Sequence, residues 1–232
     1  MSQRHSPALA PWATVISRAV QDPQPIAEDA LLLVRDPIGQ PIRQAAPRAG
    51  VTAREAGVLM LLYPVDGRIT MPLTLRSRHL AQHRGEVSLP GGAIDRHDDG
   101  PIGAALRESD EELGISGGDV CVIGSLTPIY TARSNYRIHP VVGIAHAAPA
   151  FRINRAEVER VITVTLDALL DPALVAWERR RFETGEYTVP YFAIDGQRVW
   201  GATALMLSEF IARLRRSADG VMPPPHDEIQ GG

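Results

Sequence analysis

Apolar residues run without a break from Gly57 to Tyr63, the pattern of a central strand buried on both faces. Pro64 to Arg68 reads as a turn. Met71 to Leu75 predicts a second short strand that delivers Arg76 and Ser77 to its end. Val120 to Leu126 and Ile138 to His146 predict two more strands, with a polar loop from Tyr130 to Arg137 between them. Arg155 to Leu170 reads as short helical and extended pieces. Tyr187 to Ile194 and Arg198 to Trp200 flank Asp195-Gly196, a two-residue hairpin turn. Helical spacing marks two other segments. Pro11 to Val20 places Trp12, Val15, Ile16, Ala19 and Val20 on one face. Ala202 to Arg216 predicts a final amphipathic helix with Leu205, Phe210, Ile211 and Leu214 inward. These irregularly alternating elements support an α/β or α+β class with a mixed sheet.

A third helix carries the chemistry. It starts at Gly100-Pro101, since proline is tolerated at the first helical position, and stops at Gly114, which takes a left-handed cap readily. At about 100° per residue, Ile102, Leu106, Ser109 and Leu113 form one stripe, expected to face the core. Glu108, Glu111 and Glu112 fall beside it on a shared arc. Three carboxylates there repel one another, and a hard divalent cation with oxygen ligands, Mg²⁺ or Mn²⁺, removes that cost. Such an ion is usually completed by substrate phosphates. A solvated acidic face explains the helix alone equally well. The turn Pro90-Gly91-Gly92 just upstream favours the metal site.

The run Arg107-Glu108-Ser109-Asp110-Glu111-Glu112-Leu113-Gly114-Ile115 resembles the second half of the Nudix box, R-E-U-x-E-E-x-G-U, with U a bulky apolar residue. Ser109 departs from an apolar position. Counting back through the first half places Asp99 at its glutamate and Ala93 at its glycine, so Gly91-Gly92 stands one residue further upstream. That spacing, with Gly92, Asp95 and Asp98, resembles the coenzyme A pyrophosphatase branch. Leu73-Thr74-Leu75-Arg76-Ser77, Gly85 and Pro90-Gly91-Gly92 follow the branch signature in register, with Ala81 in place of an arginine and Leu89 in place of a phenylalanine. Arg137 to Gly143 and Val199 to Ala204 also resemble this branch, so the likeness spans roughly Gly57 to Phe210.

The resemblance implies a Nudix-type α/β/α sandwich and a metal-dependent pyrophosphatase. Glu108, Glu111 and Glu112 would be metal ligands, with the Gly92 carbonyl as a backbone ligand by family analogy. These acids and Arg107 would form the catalytic group, Arg107 orienting Glu111 or a turn carbonyl. Arg76, Ser77, Gly91 and Gly92 would bind substrate, Arg76 offering phosphate a planar fork of donors. Arg133 and Arg137 are weaker phosphate candidates, and Tyr130 and Tyr136 are candidates for stacking on adenine. Glu157 is a candidate base, because a later acid serves that purpose in some relatives. His79 and His83 lie near the site by sequence only.

Composition narrows the partners. Of 232 residues, 44% are hydrophobic, enough for one sizeable core. The domain is expected over 55–216, after an N-terminal extension (1–54) that wraps it or mediates contacts in a homodimer, and before a disordered tail (217–232) containing Pro223-Pro224-Pro225. A net charge of −3 argues against nucleic acid or an anionic membrane as partner. The single Cys121 sits in an apolar run and is expected to be a buried strand thiol. With no internal disulfide and no signal or membrane segment, a cytoplasmic setting is the expectation. The favoured substrate is coenzyme A or its thioesters. Another nucleoside diphosphate derivative, such as ADP-ribose or NADH, is the alternative, and a silent nucleotide-binding fold is the third.

Overall fold

The computed structural model describes residues 9–43, 45–79 and 84–218. The expectations for Ala81, for His83 and for the tail from 219 onward fall outside these residues. In chain order the elements are α1 (Leu9–Gln21), β1 (Arg54–Val65), β2 (Arg68–Arg76), β3 (Val87–Ser88), β4 (Gly91–Ala93), α2 (Gly100–Leu113), β5 (Cys121–Ser125), β6 (Ile129–Thr131), β7 (Tyr136–Ile144), β8 (Val158–Thr165), α3 (Leu166–Leu170), β9 (Val175–Phe182), β10 (Gly185–Ile194), β11 (Gln197–Trp200) and α4 (Gly201–Ser217).

The main sheet runs β3-β2-β1-β7-β5, with β4 also pairing β1, β6 pairing β7 and β8 pairing β2. It is mixed: β1 and β7 run parallel from Arg54↔Tyr136 to Leu62↔Ile144, and β1 is antiparallel to β2 and β4. The central strand alternates its side chains between two cores, as the twofold period of a strand requires. Leu59, Leu61 and Tyr63 meet Ala105 and Leu113 of α2. Val58, Met60 and Leu62 face the opposite layer, where Trp12 and Ile16 of α1 join Met206, Phe210 and Leu214 of α4. The result is an α/β/α sandwich around a mixed sheet, as expected from the sequence. A second sheet, β11-β10-β9, packs at the α4 side through Phe192, Ile194 and Val199. Its turn is the expected hairpin, with positive φ at both Asp195 and Gly196.

Three local expectations are corrected. Ile102 is exposed and Leu106 only half-buried, while Ala104, Ala105, Ser109 and Leu113 are buried. The cause is Gly57, where a Cβ would stand 2.0 Å from the Pro101 carbonyl oxygen. A helix that close to a strand must turn small residues inward, so its bulkier ones move to the side. Ser109 fits because its hydroxyl donates to the Ala105 carbonyl, 2.6 Å away. Cys121 is exposed rather than buried, since it opens an edge strand paired with β7. Strand β9 was unmarked in the sequence because its half-buried positions Glu178 and Arg180 are charged while the exposed Trp177 is apolar, so no apolar alternation shows.

The segment before β1 packs tightly on the domain. Arg213 of α4 is buried, and its Nε donates to Glu209 (2.9 Å) while Nη2 donates to Thr127 (3.1 Å). Its third nitrogen, Nη1, donates to the Asp22 carbonyl just after α1. Further on, the Leu32 amide donates to Ser208 Oγ at 3.0 Å, and Arg35 bridges to Thr188 of β10.

The close approach of α2 to β1 predicts a large penalty for one added methyl group. Gly57→Ala should cost about 3 kcal/mol, lowering Tm by roughly 6–12 °C in a chain of this size. Gly118→Ala, whose added atom would meet nothing closer than 3.6 Å, should leave thermal unfolding nearly unchanged. Equal melting of the two variants would contradict this account.

Candidate active site

The chain folds into the site through a run of backbone constraints. Gly91 has φ +148° and lies with its backbone against Gly57 and Val58 of β1, leaving no room for a side chain. After β4, Asp98 and Asp99 lead to Gly100 at φ +63° and to Pro101 in the first turn of α2. The helix ends as expected on Gly114 in the left-handed conformation, its amide donating to the Asp110 carbonyl at 2.7 Å.

Arg107 ties this assembly together. Its Nε and Nη2 grip both Asp98 oxygens at 2.9 Å, and Nη2 also donates to the Ala93 carbonyl at 3.0 Å. Its Nη1 donates to Glu108 (2.9 Å) and Glu111 (3.1 Å). Bidentate, charge-assisted contacts of this kind fix geometry as well as charge. The Arg107 hydrogen bonds hold the Asp98 carboxyl below its usual range, and the same contacts raise the Arg107 pKa. Arg107 thus meets both Glu111 and a turn carbonyl, joining the loop before α2 to the helix.

Three carboxylates converge: Glu108, Glu112 and Glu157 can each place an oxygen within 4.8 Å of the others. Glu157 arrives from the turn before β8, tied by a hydrogen bond from the Ser77 amide to its backbone carbonyl at 2.8 Å. Glu111 stands outside this group, half-exposed and held outward by Arg107. The set therefore differs by one residue from the three acids of the helix arc. Glu112 is 2% exposed, and its Oε2 has no hydrogen-bond partner. Its Oε1 lies 3.6 Å from Arg76 Nη1. The Glu108 carboxylate lies on Gly92, where a Cβ would come within 2.4–2.6 Å of it. An orphaned buried oxygen between two further carboxylates is a donor set that fits a hard divalent cation.

Arg76, Gly91 and Gly92 also line a cavity of about 510 Å³, which extends past Val87, Leu89 and Trp200. Ser77 is buried behind this wall, its hydroxyl accepting the His79 amide at 3.3 Å. Arg133 and Tyr136 line the cavity as well, Arg133 3.7 Å from Glu86 and Tyr136 under the Arg54 guanidinium at 4.5 Å. Tyr130 donates to Asn135 (2.9 Å), and Arg137 is held by Glu55 (2.9 Å). Asp98 as the partner of Arg107, and Trp200 as a cavity wall, were not assigned from sequence. The Asp98 spacing was visible there, whereas the Trp200 position depends on how β11 meets α4.

Residues 53–184 match the NUDIX domain family. The chain belongs to the Nudix family. It is 33% identical to Nudix hydrolase 3 of Caenorhabditis elegans over 173 residues, 68% of this chain and 72% of that protein. It is 36% identical to mitochondrial coenzyme A diphosphatase NUDT8 of Homo sapiens over 177 residues, 72% of this chain and 74% of that one. Peroxisomal coenzyme A diphosphatase ndx-8 of C. elegans is 36% identical over 159 residues, 66% of this chain and 65% of that one. As a Nudix hydrolase, the protein acts on pyrophosphate bonds.

Burial dominates the electrostatics of this Nudix site. It pushes the Glu112 carboxyl up to about 8, against the opposing pull of Arg76, and Glu157 and Glu108 raise it further. Glu108 is raised too, by desolvation first, with Arg107 opposing. A carboxyl raised from 4.5 to about 8 holds a proton in the folded state that the unfolded chain has released. Its contribution to the stability of the metal-free protein therefore declines as pH rises from 4.5 toward 8. A divalent ion competes with that proton, so binding improves over the same range. The rise in Tm caused by Mg²⁺ or Mn²⁺ should be larger at pH 8.5 than at pH 6. A metal-induced shift independent of pH would refute the buried, protonated Glu112.

Proposed function

We propose that this Nudix hydrolase is an Mg²⁺- or Mn²⁺-dependent diphosphatase of coenzyme A or its thioesters, releasing 3′,5′-ADP and (acyl-)4′-phosphopantetheine. The convergence of Glu108, Glu112 and Glu157 beside the Gly91-Gly92 backbone carries the chemistry. Two relatives named as coenzyme A diphosphatases, together with the register from Leu73 to Asp98, support the substrate.

Glu108 and Glu112 would hold the cation, and Glu157 brings a carboxylate oxygen within 4.8 Å of theirs. When bound, the cation neutralises diphosphate charge and acidifies water. Glu111 and Arg107 keep the helix edge and the glycine turn in register, and the Gly92 backbone lies against the Glu108 carboxylate. Arg76 sits beside Glu112 with a guanidinium fork suited to a diphosphate oxygen. Glu157 is assigned as the base, since among the described residues its carboxylate has no arginine partner and accepts only from Asn154 Nδ2 at 3.3 Å. It takes a proton from the attacking water, whose oxygen bonds to phosphorus as the bridging P–O bond breaks.

Two measurements test this reading. Glu112→Gln and Glu157→Gln should each lower the rate by roughly 10²-fold or more with folding intact, whereas Asp110→Asn on the exposed side of α2 should change little. Retention of most activity in Glu112→Gln would remove the assignment of this helix. Coenzyme A, ADP-ribose and NADH should then be compared at equal concentration with Mg²⁺ or Mn²⁺, and with chelator as the control. Coenzyme A should be cleaved fastest, and all activity should vanish with the chelator. Faster turnover of ADP-ribose or NADH would assign the protein to that substrate instead.

A further inference from the structure

The end of β2 separates two cavities. Arg76 lines the large one, whose walls include Val87, Leu89, Ile138 and Met206. The next residues, Ser77, Arg78 and His79, line a second cavity of about 290 Å³ with Arg155 and Glu159. The carboxylate cluster stands at the junction. Glu112 is 3.6 Å from Arg76, and the Glu157 carbonyl accepts the Ser77 amide.

We propose that the cleft formed by Arg78, His79 and Arg155 grips a phosphomonoester on the nucleoside end of the diphosphate substrate. The proposal rests on the diphosphatase reading above and adds an orientation: uncharged arm in the large cavity, charged nucleoside in the small one. In the reading above Arg76, beside the buried Glu112, is taken by the diphosphate. Arg133, 3.7 Å from Glu86, belongs to the large cavity. In the small cleft both arginines meet Glu159, only one of them at its carboxylate. Arg78 lies 3.6 Å from the Glu159 carboxylate, and Arg155 donates to the Glu159 backbone carbonyl at 2.8 Å. Arg78 is 80% exposed, so its pairing with Glu159 is weak and readily exchanged for a dianionic phosphate. The Arg155 head is already fixed by a backbone contact, which lowers the ordering needed to bind.

The test is calorimetric titration of the full-length protein with 5′-AMP, 2′,5′-ADP and 3′,5′-ADP at low salt. 3′,5′-ADP should bind about 10-fold more tightly than 5′-AMP, as expected for charge-assisted contacts at an exposed site. The double variant Arg78→Ala/Arg155→Ala should bring the two within about 2-fold of each other. Glu159→Gln, which removes the competing acid, should widen the gap. Equal binding of the two nucleotides by the unaltered protein, or a gap that survives the double variant, would overturn the proposal. Cleavage of coenzyme A without any gap would reject the cleft and leave the diphosphatase reading intact. A gap that collapses in the double variant, in a protein that fails to cleave coenzyme A, would keep the cleft and reject the substrate. Tighter binding of 2′,5′-ADP than of 3′,5′-ADP would overturn the coenzyme A orientation and place a 2′-phosphorylated nucleotide in the same cleft.

Discussion

A carboxyl group taken out of water is costly to ionise, and Glu112 is nearly buried with one oxygen unpaired. Much of the surrounding architecture makes that arrangement tenable. The glycines at 57, 91 and 92 let the strand, the turn and the helix close to distances no side chain would allow. Arg76 faces Glu112 from one side, and Arg107 clamps Asp98, Glu108 and Glu111 from the other. The same crowding that costs the fold stability holds together a donor set that fits a hard divalent cation.

The legible part of the sequence was the part governed by local periodicity and turn chemistry. The run from Gly57 to Tyr63, the Gly114 stop and the Asp195-Gly196 hairpin each have a local cause, and each appears in the structure. The main helix was located correctly but rotated wrongly. Its facing side is set by the missing side chain of Gly57, some forty residues away in sequence, and helical spacing alone favours the larger Ile102 and Leu106. Cys121 shows the same limit. Its neighbours are apolar, but its exposure follows from sheet order, which puts β5 at an edge.

The carboxylate set illustrates a third kind of limit. Helical geometry places Glu108 and Glu112 one turn apart, and it also admits Glu111. Glu112 is buried while Glu111, paired with Arg107 one turn back, stays half-exposed, a difference set by how the helix packs on β1. Glu157 joins because β8 pairs with β2, so the turn preceding β8 lies beside Ser77. A sequence motif specifies a helix with its acids. The strand pairing completes the site.

The two helices that cover the far face of the sheet carry a different consequence. Leu9, Trp12 and Ile16 precede the family-matched span of 53–184, and Met206, Phe210 and Leu214 follow it, yet all six belong to the same core cluster as Val58, Met60 and Leu62. The buried Arg213 joins both sides through Asp22, Glu209 and Thr127. A fragment cut to the matched span would expose one whole face of its central strand to water. The family-matched span is therefore smaller than the unit that folds, and the sheet beneath the acidic helix is covered by residues more than eighty positions from that helix on either side.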